Sequence, residues 1–141
     1  MQKKSVLRLM DANANRALEG LRVCEEVARL YLNHSGTFRR LRSIRHGVAH
    51  AMQQLPVSRQ DLLAARDSKK DVGKKASSGP VRLLEQLLVI NFQRAKEALR
   101  TLEECSRVVS PKTVPVFQAL RFRTYSAERD ALLKLAALRH R

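Results

Sequence analysis

Hydrophobic and polar positions alternate with a helical period through most of the chain. At about 100° per residue from Asn13, Ala17, Gly20, Leu21, Cys24, Val27, Ala28 and Tyr31 fall between about −40° and 80°. Asn15, Glu19, Arg22, Glu26 and Arg29 fall between about 160° and 240°. The first arc reads as core; Arg22, Glu26 and Arg29 read as a solvated, salt-bridged face with Arg22 and Glu26 an i,i+4 pair. The same period predicts helices near residues 5–33, 37–54, 80–109 and 114–138. Asn33-His34-Ser35-Gly36 ends the first, Pro56 closes the second, Gly79-Pro80 opens the third and Ser110-Pro111 stops it. Residues 56–79 lack a core pattern, and a link of that length in a small domain suits a lid, a binding loop or a tether.

The helical pattern is duplicated. Residues 13–29 and 91–107 share nine identities in seventeen at a shift of 78: Asn13, Arg16, Ala17, Glu19, Leu21, Arg22, Glu25, Glu26 and Arg29 recur as Asn91, Arg94, Ala95, Glu97, Leu99, Arg100, Glu103, Glu104 and Arg107. With one residue inserted, Phe38, Leu41 and Arg42 match Phe117, Leu120 and Arg121. The expectation is an all-α protein, a four-helix bundle of two pseudo-symmetric αα-hairpins (about 5–54 and 80–138) joined by the long loop, with residues 1–141 as one domain.

Composition narrows the class. A chain of 141 residues with 44% apolar and 29% charged residues can build one core, which argues against disorder. No apolar run approaches the roughly 20 residues that cross a bilayer, and Val6 to Asp11 breaks any leader-like stretch. Cys24 and Cys105 sit inside helical patterns without metal spacing, so they read as free thiols in a reducing compartment, the cytoplasm. The net charge of +15 favours polyanions, whether nucleic acid, phosphorylated metabolites or an anionic surface. Its distribution is uneven: Val27 to Gln60 holds no acid but contains Arg29, Arg39, Arg40, Arg42, Arg45 and Arg59.

Candidate chemistry lies in three places. Asn13 falls at the centre of the apolar arc with Arg16 on its flank, and Asn91 and Arg94 repeat the arrangement; a polar group there must be paired. These four are expected to be largely inaccessible and hydrogen-bonded, as a register network, a ligand site or both, with Glu19 and Glu97 orienting the arginines. Arg45-His46 follows a run of arginines and reads either as a basic surface or as a ligand contact. His34 and His50 show no metal spacing. In the long loop, Asp67 and Asp71 stand four apart beside Arg66, Lys69, Lys70, Gly73, Lys74 and Lys75, a mixture that suits a magnesium phosphate or a merely solvated loop.

The run from Asp11 to Arg22, the partial Leu-x-x-Arg-His element ending in Arg45-His46, Arg66-Asp67 with Asp71-Val72-Gly73, Asn91-x-x-Arg94-Ala95-x-Glu97-Ala98-Leu99-Arg100 and Leu120-Arg121-x-Arg123-x-Tyr125 together resemble a known family. It is the monofunctional, all-helical hydroxymethylpyrimidine phosphate kinase of thiamin biosynthesis, which occurs alone or fused ahead of thiamin-phosphate synthase. The resemblance implies ATP-dependent phosphorylation of hydroxymethylpyrimidine monophosphate to the diphosphate, with magnesium. No Walker loop or kinase glycine loop is present to support this separately. Expected roles are phosphate clamps at Arg16, Arg94 and Arg45, magnesium ligation by Asp67 and Asp71 with one of them a candidate base, and pyrimidine recognition by Asn13 and Asn91. Glu19, Glu97 and His46 join the substrate contacts, and Arg66 and Gly73 the nucleotide contacts. The loop is expected to be mobile without ligand and to close over a bound nucleotide. Association with thiamin-phosphate synthase and a homodimer are compatible with this reading, and no membrane association is expected. The alternatives are a basic helical module that binds RNA or other polyanions, and a regulatory subunit that holds the pyrimidine phosphate without turning it over.

Overall fold

The computed structural model describes residues 2–139 and is all-α, with no strand among them. Five helices form: α1 (Gln2–Leu30), α2 (Ser35–Gln53), α3 (Arg59–Ala65), α4 (Leu84–Val109) and α5 (Val114–Arg139). Single 3-10 turns cover Ser68–Lys70 and Pro111–Thr113. The four expected long helices are present, and a fifth was not expected.

Helix boundaries follow from local hydrogen bonding. After α1 the chain turns through Asn33, which adopts a left-handed φ of 51° that asparagine tolerates better than most residues. His34 then caps α2 by accepting the Thr37 N–H at Nδ1, 3.1 Å away. Pro80 was expected in the first turn of the third long helix, but α4 begins four residues later. The cause is Gln86, whose Oε1 accepts the N–H groups of Arg82 (3.0 Å) and Leu83 (3.3 Å) and so satisfies donors a new helix leaves open. The supposedly patternless link contains α3 because Ser58 and Asp61 form a capping box: Asp61 N–H donates to Ser58 Oγ at 3.0 Å and Ser58 N–H to Asp61 Oδ2 at 3.1 Å. That second bond holds the Asp61 carboxyl below its ordinary range. Helix α3 packs on α1 and buries Ala65.

The long helices close a ring. Helix α1 packs on α2 and α4, and α5 packs on α4 and α2. Met10, Leu21, Ile44, Phe92, Leu99 and Phe117 lie in one apolar cluster fed by all four. The duplicated sequence makes duplicated contacts. Asn13 Nδ2 donates to the Leu9 carbonyl and Asn91 Nδ2 to the Leu87 carbonyl, both at 2.9 Å. Arg22 reaches Glu25 and Glu26, and Arg100 reaches Glu103 and Glu104. Arg29 and Arg107 pair with Glu26 and Glu104 at 2.7 and 2.8 Å and hold those carboxyls below their usual range. The salt-bridged face of α1 is as the period predicted.

Glu25 was not singled out by the pattern, yet it is fully buried, and so nearly is Glu103. Each receives a guanidinium from the partner helix of its hairpin. Arg45 of α2 grips Glu25 through Nε (2.5 Å) and Nη2 (3.0 Å), and Arg121 of α5 reaches Glu103 through Nε at 2.9 Å. Burial makes both acids dependent on these pairs.

Gly20 sits where α1 crosses α4. A Cβ there would lie 2.9 Å from the Asn91 carbonyl oxygen, which is backbone and cannot swing away. Gly20→Ala would gain about 1 kcal/mol of helix propensity but must part the two helices, at a typical overpacking cost of about 1–3 kcal/mol. The expected net result is a melting temperature lowered by a few degrees in thermal denaturation; a rise would show that the crossing has room.

Candidate functional site

On the side of α1 and α4 facing away from α2 and α5, the chain from Arg66 to Ser78 folds back and forms one wall of an open cavity of about 760 Å³. Such a volume suits a small phosphorylated ligand. Helix α1 contributes Arg8, Asp11, Asn15, Arg16 and Glu19, the loop Arg66, Asp67, Asp71 and Gly73, and α4 Asn91 and Arg94. Eight of the residues expected from the sequence therefore meet here: Arg16, Glu19, Arg66, Asp67, Asp71, Gly73, Asn91 and Arg94.

Four others do not line the cavity. Asn13 is spent on the Leu9 carbonyl, and Glu97 lies on the exposed surface of α4. Arg45 was expected to clamp phosphate, but its guanidinium is committed to buried Glu25, which raises the arginine's pKa further, and it stands outside the cavity. His46, beside it, is exposed on α2. The expected burial of the Asn/Arg pairs also needs correction. Only Asn91 is buried, at 7% exposure; Asn13 is half-buried, and Arg16 and Arg94 are exposed. Long arginine stems on the flank of a core face carry the charge out to the groove.

Sequence reasoning missed Arg8, Asp11 and Asn15. Asp11 is buried at 8% exposure and binds Arg66 in a two-pronged pair, Nε to Oδ2 at 2.7 Å and Nη2 to Oδ1 at 2.8 Å. Arg8 Nη2 donates to the Asp67 carbonyl at 2.9 Å. All three stand on the polar stripe of α1, which periodicity alone assigns to solvent; only a loop folded over it makes that stripe an interior.

The cavity is electrically mixed, with Arg8, Arg16, Arg66 and Arg94 against Asp11, Glu19, Asp67 and Asp71. Asp11 neutralises Arg66 and holds its guanidinium more firmly protonated. Arg94 donates to Ser78 Oγ at 3.0 Å, a neutral partner that an anion outcompetes, and among the described residues Arg16 makes no hydrogen bond or ion pair. Each loop aspartate uses one oxygen on its own backbone: Asp67 Oδ1 accepts from Lys70 N–H at 3.2 Å and Asp71 Oδ1 from Gly73 N–H at 2.8 Å. The Gly73 donor is thus engaged within the loop. Among the described residues Oδ2 of Asp71 has no partner, and Oδ2 of Asp67 has only Lys70 Nζ at 4.0 Å. Among the described residues no three His, Cys, Asp or Glu cluster to cage a metal. Two carboxylate oxygens beside arginines fit magnesium, which commonly takes one or two protein carboxylates and completes its shell with water and substrate phosphate. Among the described residues no helix is long and apolar enough to cross a membrane.

Comparison with known proteins covers the same span. A thiamine-phosphate synthase of Rhodopirellula baltica is 36% identical over an alignment of 143 positions that covers 99% of this chain and 38% of that protein. Those of Synechocystis sp. and Nostoc sp. are 35% and 36% identical over 91% and 90% of this chain, and 36% and 35% of their own lengths. The chain therefore spans little more than a third of the relatives it matches. No solved structure matches it. The ThiD2 family matches residues 8–130, from the first cavity arginine on α1 deep into α5, and the chain belongs to that family.

Proposed function

We propose that this chain acts in thiamin biosynthesis as an ATP-dependent kinase that converts hydroxymethylpyrimidine monophosphate to the diphosphate. The observation that carries the reading is the meeting, in one cavity, of Arg16 and Arg94 from opposite repeats with Asp67 and Asp71 from the loop. The names of the relatives, thiamine-phosphate synthases, support the same biosynthesis.

Phosphoryl transfer asks a protein for positioning and charge neutralisation rather than covalent chemistry. Arg16 and Arg94 supply cations to phosphate oxygens, Asn15 supplies a paired donor and acceptor to a heterocyclic edge, and Asn91, with one N–H given to the Leu87 carbonyl, supplies its amide oxygen. Glu19 lines the same wall. Asp67 and Asp71 would hold magnesium through their outward oxygens, and the ion would neutralise charge on the phosphates. Closure of the loop over bound substrate would exclude water and strengthen each of these contacts. The balance of four arginines against four carboxylates favours a metal-bearing phosphate over a polyanion backbone, which needs an excess of cations.

The assay is direct: purified protein, ATP, magnesium and hydroxymethylpyrimidine phosphate, with the diphosphate and ADP as products. Product forming only when all components are present is the expected result. Ligand binding without product leaves the regulatory alternative.

A further inference from the structure

The repeat breaks at two cavity residues. Arg16 and Glu19 recur as Arg94 and Glu97, but the same shift of 78 takes Arg8 to Gln86 and Asp11 to Val89. Gln86 is occupied in capping α4, and Val89 is exposed on it. The charges that could hold a loop are therefore present on α1 and absent from the matching positions of α4.

Those two charges grip the loop at the point where its acids begin. Arg66 is fixed to Asp11 by two bonds and the carbonyl of the next residue, Asp67, is fixed by Arg8. Immediately upstream, Ala65 is buried against the helices. Downstream the contrast is sharp: residues 68–84 are exposed throughout, and the Arg94–Ser78 bond ties that stretch to the cavity wall. With the chain pinned at residues 65–67, the 3-10 turn and the Asx turn at Asp71 carry both carboxylates to the cavity. An ion pair with Asp11 buried and two near-parallel hydrogen bonds fixes orientation as well as distance, which a single hydrogen bond does not.

We propose that Asp11, assisted by Arg8, is a positioning residue that sets Asp67 and Asp71 opposite Arg16 and Arg94, and that its absence from the second repeat leaves α4 without a matching loop anchor. The turnover part rests on the kinase reading; the loop part does not.

The test compares Asp11→Asn, Arg66→Gln and the double variant with the parental chain. Arg66 lies on an exposed loop, so its replacement leaves the core intact. Limited trypsin digestion at Lys69, Lys70, Lys74 and Lys75, followed by mass spectrometry, reads loop anchoring without reference to activity. Cleavage is expected about tenfold faster in each single variant and no faster in the double, because both remove one interaction. In the kinase assay kcat should fall at least tenfold while KM for the pyrimidine phosphate stays within about threefold, the split expected when the loop acids rather than the ground-state contacts are displaced. Parental cleavage rates in both single variants, or additive effects in the double, would overturn the anchor. Faster cleavage with parental kcat would overturn the positioning role. If the parental chain shows no turnover, the kinase reading fails, and the anchor stands or falls on the digestion pattern.

Discussion

Asp67→Asn and Asp71→Asn are each expected to lower kcat by about two to three orders of magnitude, the scale on which a single preorganised electrostatic group contributes to catalysis. Both substitutions should leave thermal stability nearly unchanged. Asparagine keeps an oxygen that can accept the Lys70 or Gly73 N–H, so the turns survive and only the charge is lost. The loop from residue 68 onward is exposed and holds little of the core, so its local energetics barely enter global unfolding. Arg22→Ala is the counterpart. Its pairs with Glu25 and Glu26 are long and its side chain is exposed, so both activity and stability should stay near parental values. The measurements are steady-state kinetics and thermal denaturation. Parental turnover in both aspartate variants would reduce the loop to a tether and move the chemistry to Arg16, Glu19 and Arg94.

The second large effect is on stability. Glu25→Ala removes the acid partner of Arg45, whose side chain is itself only 21% exposed, and leaves a guanidinium facing a void at the α1–α2 contact. Removing one member of a buried pair typically costs about 3–5 kcal/mol. In a chain of this size that lowers the melting temperature by about 10 °C or more. Replacing both members, Glu25→Leu with Arg45→Met, should recover most of the loss, because an apolar pair of similar volume carries no desolvation cost. Thermal denaturation of the singles and the double checks this. A double variant as unstable as the worse single would mean that the pair specifies packing that hydrophobic side chains cannot reproduce.

These two predictions draw on residues of different legibility. The four long helices were readable because each carries a sustained apolar stripe, and the duplication reinforced it. Helix α3 was not, since seven residues hold too few turns for a period to register; the Ser58-x-x-Asp61 spacing was its available sign. Glu25 stands at the edge of the apolar arc and looks like half of a surface Glu-Glu pair. Its recurrence as Glu103 was the clue that one acid of each pair turns inward. At the site, Arg16, Asn91 and Arg94 could be picked out because they interrupt a core face twice at the same spacing. Asp11 and Arg8 could not, since what buries the one and engages the other is a loop more than fifty residues away in sequence. Periodicity reports what a helix owes to its neighbouring helices and is silent about a segment laid across its polar side.

The broken repeat has a consequence for how such a site arises. In a symmetric dimer of one αα-hairpin, every substitution appears twice, so neither groove can change without the other. Joining two copies in one chain removes that tie. One copy keeps Arg8 and Asp11 while the other spends the matching positions on a helix cap and an apolar surface residue. The tandem arrangement keeps the paired arginines and frees the α4 positions that match the cavity residues Asn15, Glu19 and Val23, leaving Gln93, Glu97 and Thr101 open to drift or to new use.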